Sequence, residues 1–338
     1  MAGISEYLKI LLAGEDLSLD DARSLLDSVF EGDVPDAQIA AFLTAMRIKT
    51  PTSTELAGLA QSLRSHAVPI KPAVDNLLDT CGTGGAAIKT FNISTAAAFV
   101  AAGAGVFVAK HGNRGITSKC GSADVLGALG VKIDSPVEIV ARCIEEAHIG
   151  FMFAPMFHPA MKFVQPIRKS LGFGTVFNIL GPLANPANTN TQVMGVAEES
   201  LLEKIAETLK ILGLKRAMVV HAAGLDEIST ISITKVVELK DGKTSSYKIN
   251  PAEFGIAKAV IEQIAGGDAR HNAEMVKNVI YGRDNGPARD IVLLNAAAAI
   301  FVADLAKTLQ ESFRLAQISI DDGKAAEALE KMIKISNS

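Results

Sequence analysis

The spacing of apolar residues along the chain changes once. Over the first seventy residues apolar positions recur every three to four places, which lays a single stripe along an α-helix. Ser18 and Asp21 open one such stretch, Ala22, Leu25, Leu26, Val29 and Phe30 form its stripe, and Gly32 closes it. Pro35 starts the next, with Ile39, Phe42, Leu43 and Met46 on one face. Thr52 and Glu55 stand in capping-box spacing ahead of Leu56, Leu59 and Leu63. These stripes need cover, either from the rest of the chain or from a second subunit. Val68-Pro69 and Lys71-Pro72 mark a hinge after them.

Beyond Asn76 short apolar runs alternate with helical patterns, as in a mainly parallel sheet covered on both faces. Runs at 77–79, 106–109, 150–153, 192–196 and 217–220 read as strands, and 236–239 with 246–249, joined around Asp241-Gly242, read as an antiparallel hairpin. The remainder is helical, with an Ala-rich core segment at 291–303. The expected fold class is α/β: a mainly parallel central sheet flanked by helices in a large domain, 71–338, beside a smaller all-helical domain, 1–70. A length of 338 residues agrees with two units, since single cores stop growing near ~250 to 300 residues.

Composition narrows the function. The 33 Lys and Arg against 37 Asp and Glu leave a net charge of -4, which argues against a surface built for nucleic acid or anionic membrane. Cys81, Cys120 and Cys143 are too few and too scattered for a disulfide framework or a zinc knuckle, and fit a reducing compartment. The longest uncharged apolar stretch, 96–109, has 14 residues, short of the ~20 that span a bilayer, and reads as a buried helix running into a strand. The first residues carry Glu6 and no basic leader, so a cytoplasmic protein is expected.

Ligands of open α/β sheets bind beyond the carboxyl ends of the strands. The loop after the first strand is Asp79-Thr80-Cys81-Gly82-Thr83-Gly84-Gly85, and Thr90-Phe91-Asn92-Ile93-Ser94-Thr95 then opens a helix. Glycines let a bulky anion approach the backbone, and helix N-terminal amides point positive partial charge at phosphate. A glycine cluster alone is more often a tight turn; the Asn-x-Ser-Thr start adds weight, although an ordinary N-cap looks the same. After the second strand, Lys110, His111, Gly112, Asn113, Arg114, Gly115, Ile116, Thr117, Ser118, Lys119 and Ser122 interleave cations, glycines and hydroxyls in an otherwise acidic chain, which suits phosphate better than a merely solvated loop. His111, read as a loop residue, is a general base or, more commonly for such a histidine, a hydrogen-bond donor. Further on come His158-Pro159-Ala160-Met161-Lys162, Arg168, and Asn178 through Pro182-Leu183. The planar fork of Arg168 suits a carboxylate, and taken alone equally suits a surface ion pair. Asp226 and Glu227, in Gly224-Leu225-Asp226-Glu227, suit magnesium if they are not simply solvated.

Taken together, GTGG at 82–85, TFNIST at 90–95, KHGNR at 110–114, GSAD at 121–124, HPAMK at 158–162, NILGPL at 178–183 and GLDE at 224–227 resemble the anthranilate phosphoribosyltransferase family over nearly the whole chain and in the same order. That resemblance implies a helical domain completed by a returning segment near 165–182, a homodimer formed through it, and transfer of the phosphoribosyl group of phosphoribosyl pyrophosphate to the amine of anthranilate in tryptophan biosynthesis. It implies that phosphoribosyl pyrophosphate is held by Gly82, Gly85, Ala86, Thr90, Asn92, Ile93, Ser94, Thr95, Lys110 to Ser118 and Ser122. Two magnesium ions would sit on Ser94, Asp226 and Glu227, and anthranilate would meet Gly82, Asn113, His158, Arg168 and Pro182. Lys110, His111, Asn113 and Arg168 would carry the catalytic roles. Ala86-Ala87 departs from the usual Asp-Gly after GTGG, which puts magnesium handling in question, and Gly127 and Gly174 depart from a usual Glu and Arg. Two other readings stand beside this one. A pyrimidine nucleoside phosphorylase would need no acidic metal pair, and an inactive nucleic-acid-binding relative would want a basic groove.

Overall fold

The structure is a computed structural model that describes residues 3–115 and 119–338. Four helices come first: α1 (Ile4–Leu12), α2 (Leu19–Glu31), α3 (Asp36–Lys49) and α4 (Ser53–Ser65). The caps expected at both ends of α2 and at the start of α4 form. The Ser18 side chain accepts from the Asp21 amide, Gly32 takes the left-handed conformation that stops α2, and Thr52 with Glu55 closes a reciprocal capping box on α4.

Strands and helices then alternate: β1 (Leu78–Asp79), α5 (Ile93–Gly103), β2 (Val108–Gly112), α6 (Ser122–Ala128), α7 (Val137–Ala147), β3 (Ile149–Phe153), α8 (Ala154–Phe157), α9 (Gln165–Leu171), α10 (Phe177–Leu183), β4 (Thr191–Gly195), α11 (Leu202–Ile211) and β5 (Arg216–Ala222). The hairpin β6 (Thr234–Lys240) and β7 (Lys243–Ile249) follows, then α12 (Ala269–Ile280), α13 (Pro287–Val302), α14 (Leu309–Asp321) and α15 (Lys324–Ser336). The sheet order is β3-β2-β1-β4-β5-β6-β7, parallel from β3 to β5 and antiparallel across the last two pairings. The chain moves from β1 to β2 and β3 on one side, then crosses to β4 and β5 on the other. The crevice at the carboxyl end of β1 is therefore the switch point where open sheets take ligands.

Alternation along the strands divides the core. Val193, Met218 and Val220 face a cluster with α5, α12, α13, α14 and α15, while Met194, Ala217 and Val219 face a cluster shared with α1 to α4, α9, α10 and α11. Ile39, Phe42, Leu43 and Met46 are buried in that second cluster. The apolar stripes of the first seventy residues are thus covered within the chain and do not by themselves call for a second subunit. Among the described residues no helix is long and apolar enough to cross a membrane.

One expectation is corrected. Lys110 and His111 are not loop residues, because β2 runs on to Gly112 and pairs Lys110 with Phe151 and His111 with Met152 of β3. Both are buried. A strand tolerates them because the Lys110 ammonium reaches Thr80 and the His111 ring finds a carbonyl, so neither is left without a polar partner.

Candidate active site

A cavity of about 730 Å³ opens at the carboxyl ends of the parallel strands. Its first wall is the glycine loop after β1. Gly84 and Gly85 hold φ values of 64° and 84°, in the left-handed region. Thr83 stitches the loop to the end of β4: its amide donates to the Gly195 carbonyl at 2.9 Å, and its hydroxyl accepts from the Ala197 amide at 3.2 Å. The chain reaches α5 through Asn92, and Ser94 and Thr95 present the first turn of that helix to the cavity.

The second wall comes from β2 and the loop beyond it. Lys110 Nζ donates to Thr80 Oγ1 at 3.1 Å. Neighbouring Asp79 is wholly buried; its carboxylate accepts from the His111 amide at 3.3 Å and from Asn185 Nδ2 at 2.7 Å. Burial pushes this acid up to about 6, with Lys110 opposing the rise. Farther along, Asp124 accepts from the amides of Gly115 at 2.8 Å and Gly121 at 2.9 Å and pairs with Arg114 at 3.0 Å, drawing both ends of the loop onto the start of α6.

His111 and His158 face each other with ring centroids 5.0 Å apart. His111 Nδ1 lies 3.1 Å from the Gly181 carbonyl, which only accepts, so the proton is on Nδ1 and the Nε2 lone pair is left over. Among the described residues, His111 Nε2 lacks a hydrogen-bond partner, while the His158 ring faces the backbone at Leu63 and Ala184. Burial, then the neighbouring imidazole, holds His111 down at about 3, and burial holds His158 down at about 4. Both rings are neutral at pH 7.

Arg168 projects from α9 over the Phe177 ring, 5.4 Å from its centroid, and donates to Gln165 Oε1 at 3.2 Å and Asn178 Oδ1 at 3.1 Å. It meets no acid in these contacts, so its charge remains available to a ligand. On the floor, Asp226 and Glu227 lie side by side. Burial and then Asp226 push Glu227 up to about 8, and burial also lifts Asp226. One Glu227 oxygen accepts the Ser94 amide at 3.2 Å. β4 ends beneath this pair at Gly195, where a Cβ would stand 1.6 Å from the Asp226 carbonyl oxygen. Cys81 also lines the cavity, but burial and then Asp79 push its thiol up to about 12, which makes it an inert wall rather than a nucleophile.

Of the residues singled out in the sequence, Gly82, Gly85, Asn92, Ser94, Thr95, Lys110, His111, Gly112, Asn113, Arg114, Gly115, Ser122, His158, Arg168, Pro182, Asp226 and Glu227 all border this cavity. Ala86, Thr90 and Ile93 are not among the residues lining it: Ala86 is buried, Thr90 is bridged to Ala265, and Ile93 lies in the core under α5. Ile116, Thr117 and Ser118 fall outside the described residues. Asn178, at the head of the NILGPL run, borders the cavity as well, and sequence reasoning missed Gln165, Asn185 and Asn295. Asn295 both donates to and accepts from the Ile228 backbone at 2.9 Å, fixing the acidic loop from α13. A single amide inside an alanine-rich helix was a readable sign of it.

Residues 5–67 match the glycosyl transferase family, helical bundle domain, and residues 74–326 match the glycosyl transferase family, a/b domain. The anthranilate phosphoribosyltransferase of Methanocorpusculum labreanum is 51% identical over 334 residues, covering 98% of each chain. The chain belongs to the anthranilate phosphoribosyltransferase family. Among solved members of that family, the Thermus thermophilus enzyme superimposes with a TM-score of 0.93 at 39% identity, covering 98% of this chain and 99% of its own. The Saccharomyces cerevisiae anthranilate phosphoribosyltransferase in complex with PRPP and Mg gives a TM-score of 0.89 at 29% identity, covering 99% and 98%, and the same enzyme has also been solved with 4-fluoroanthranilate.

Proposed function

We infer that this chain transfers the phosphoribosyl group of phosphoribosyl pyrophosphate to the amine of anthranilate, giving N-(5-phosphoribosyl)anthranilate and pyrophosphate, a step of tryptophan biosynthesis. The observation that carries this reading is the meeting, in one cavity at the switch point of the sheet, of an open glycine loop, the first turn of α5, Lys110 and a buried acid pair, with Arg168 standing over Phe177. The first three suit a pyrophosphate, and Arg168 suits a carboxylate.

Asp226 and Glu227 would hold magnesium. Their raised proton affinities come from burial and, for Glu227, from repulsion by its neighbour, and a divalent cation relieves both. Among the described residues no group of three or more acidic, histidine or cysteine side chains makes a closed metal cage. That fits magnesium, which keeps waters and completes its shell on substrate phosphates, and Ser94 beside Glu227 offers a hydroxyl. The number of ions is put at two. Magnesium supplies charge neutralisation on the departing pyrophosphate.

The chain's own groups do the rest. Amides of the glycine loop and of α5, with Lys110, take up negative charge that grows as the bond from the anomeric carbon to pyrophosphate breaks. Arg168 turns the aromatic acid by its carboxylate so that the neutral amine faces that carbon. His111, too weak a base to hold a proton at neutral pH, offers its Nε2 lone pair as an acceptor for an amine N–H, which keeps the nucleophile's own lone pair aimed at the sugar. Asn113, His158 and Pro182 complete the aromatic subsite.

Residues 1–70 are read as one domain and 71–338 as the other, hinged at 68–72. The chain is read as a cytoplasmic homodimer joined through its helical domain. Leu12 on α1 and Ile48 on α3 support the dimer, because they are 73% and 79% exposed on two helices that pack together. The test of function is to mix the protein with phosphoribosyl pyrophosphate, magnesium and anthranilate and follow anthranilate fluorescence, beside a nucleoside-plus-phosphate control. Fluorescence is expected to fall in the first mixture only; cleavage of nucleoside with no loss of anthranilate would refute the assignment.

A further inference from the structure

We propose that Asn272 is a positioning residue that fixes which end of the Asn92 side-chain amide faces the phosphoribosyl pyrophosphate site. This inference rests on the reading above that the cavity takes that substrate. Asn272 sits on α12 at 2% exposure, on the face whose other members, Ala273, Val276, Val279 and Ile280, are apolar and packed in the core. A polar residue on such a face is costly to bury unless its hydrogen bonds are all placed.

The placement follows from a group that can only donate. The backbone amide of Gly267 donates to Asn272 Oδ1 at 2.7 Å, so that oxygen must face Gly267 and the Nδ2 group must face away from it. Asn272 Nδ2 then donates to Asn92 Oδ1 at 2.9 Å, which Cys120 Sγ also approaches as a donor at 3.3 Å. With its oxygen engaged, Asn92 is left to present Nδ2, one hydrogen of which reaches the Cys120 carbonyl at 3.4 Å. The other is free for the cavity, which Asn92 lines. An N–H donor there attracts a phosphate oxygen, whereas the flipped amide would present a carbonyl oxygen and repel it.

The backbone near Asn92 is held from the same side. The Phe91 amide donates to the Ile264 carbonyl and the Gly266 amide to the Lys89 carbonyl, each at 3.2 Å. Gly266 passes so close that a Cβ would sit 2.3 Å from the Thr90 carbonyl oxygen. Segment 264–272 thus clamps the entry to α5 and sets the polarity of its cap residue.

Asn272→Asp separates the two roles, because aspartate keeps an acceptor for Gly267 but faces Asn92 with an oxygen, which drives the Asn92 amide to turn over. By calorimetry with magnesium present, the Kd for phosphoribosyl pyrophosphate should rise about tenfold or more, while the anthranilate KM stays within about twofold. In an Asn92→Ala background the same substitution should change that Kd by less than about twofold, since there is no amide left to turn. If Asn272→Asp does not fold, Asn272→Ala serves in the same cycle and should likewise lose its effect once Asn92 is alanine. Equal losses in both backgrounds, equal losses for both substrates, or an unchanged Kd would overturn the proposal. Failure of the wild-type chain to bind phosphoribosyl pyrophosphate would instead overturn the functional reading on which it stands.

Discussion

Asn185 Nδ2 donates to Asp79 Oδ2 at 2.7 Å and to the Ala109 carbonyl at 2.8 Å, so one buried side chain ties the end of β1 to β2 and holds the carboxylate from which the glycine loop departs. Asn185→Leu keeps the volume and removes both donors. It should destabilise the fold by about 2 to 3 kcal/mol in denaturant titrations, because a buried carboxylate loses its shortest hydrogen bond. A change below ~0.5 kcal/mol, the usual size for an indifferent surface position, would show that the amide is dispensable.

Arg168 offers a similarly clean test of function. Removing it by Arg168→Ala should raise the anthranilate KM about tenfold or more with kcat changed only a few fold, since the carboxylate contact is the same in ground and transition states. A fall in kcat at constant KM would assign Arg168 to the chemistry instead.

The acid pair predicts a metal phenotype. Asp226→Ala and Glu227→Ala should each shift the magnesium concentration giving half-maximal activity upward by about tenfold or more, in line with the loss of a ligand to a weakly held hard cation. Titrations that superimpose on the wild type would remove both residues from the metal site.

The histidine pair predicts a pH dependence. His158 falls from an ordinary 6.5 to about 4 in the folded chain, chiefly through burial. Between those values the unfolded chain binds more protons than the folded one, so this group's contribution is present above pH 6.5 and drains away as the pH drops towards 4. His111, lowered to about 3, acts in the same direction over a wider window. Asp79, raised to about 6, has the opposite sign, its contribution being present at low pH and lost as pH rises through that value, but it is common to wild type and variant. Comparing wild type with His158→Gln therefore isolates one imidazole. In substrate-free urea titrations the variant should lose less stability than the wild type on going from neutral to acid pH, and parallel curves would contradict a neutral, buried His158.

Much of this site was legible because its parts are local. Gly82, Gly85, Asp226 and Glu227 each sit in a loop just beyond a strand end, and strand ends show in the apolar runs that precede them. The positions of Lys110 and His111 were misread as loop because a cation and an imidazole interrupt an apolar run, although tertiary partners allow β2 to continue through them. Asn185 and Asn272 were illegible for another reason. Their partners lie up to 180 residues away, and an amide carries no period, charge or neighbour pattern that marks a distant contact. The covering of the first helices by α9, α10 and α11 is likewise a fact of packing that no local pattern states.

Gly195 bears on how such an enzyme tolerates change. With the Asp226 carbonyl oxygen 1.6 Å from where its Cβ would be, even alanine at this position must displace the backbone of the acidic loop. A saturation library scored for growth without tryptophan should therefore find position 195 as intolerant as Arg168 or Glu227, although glycine offers no functional group to lose.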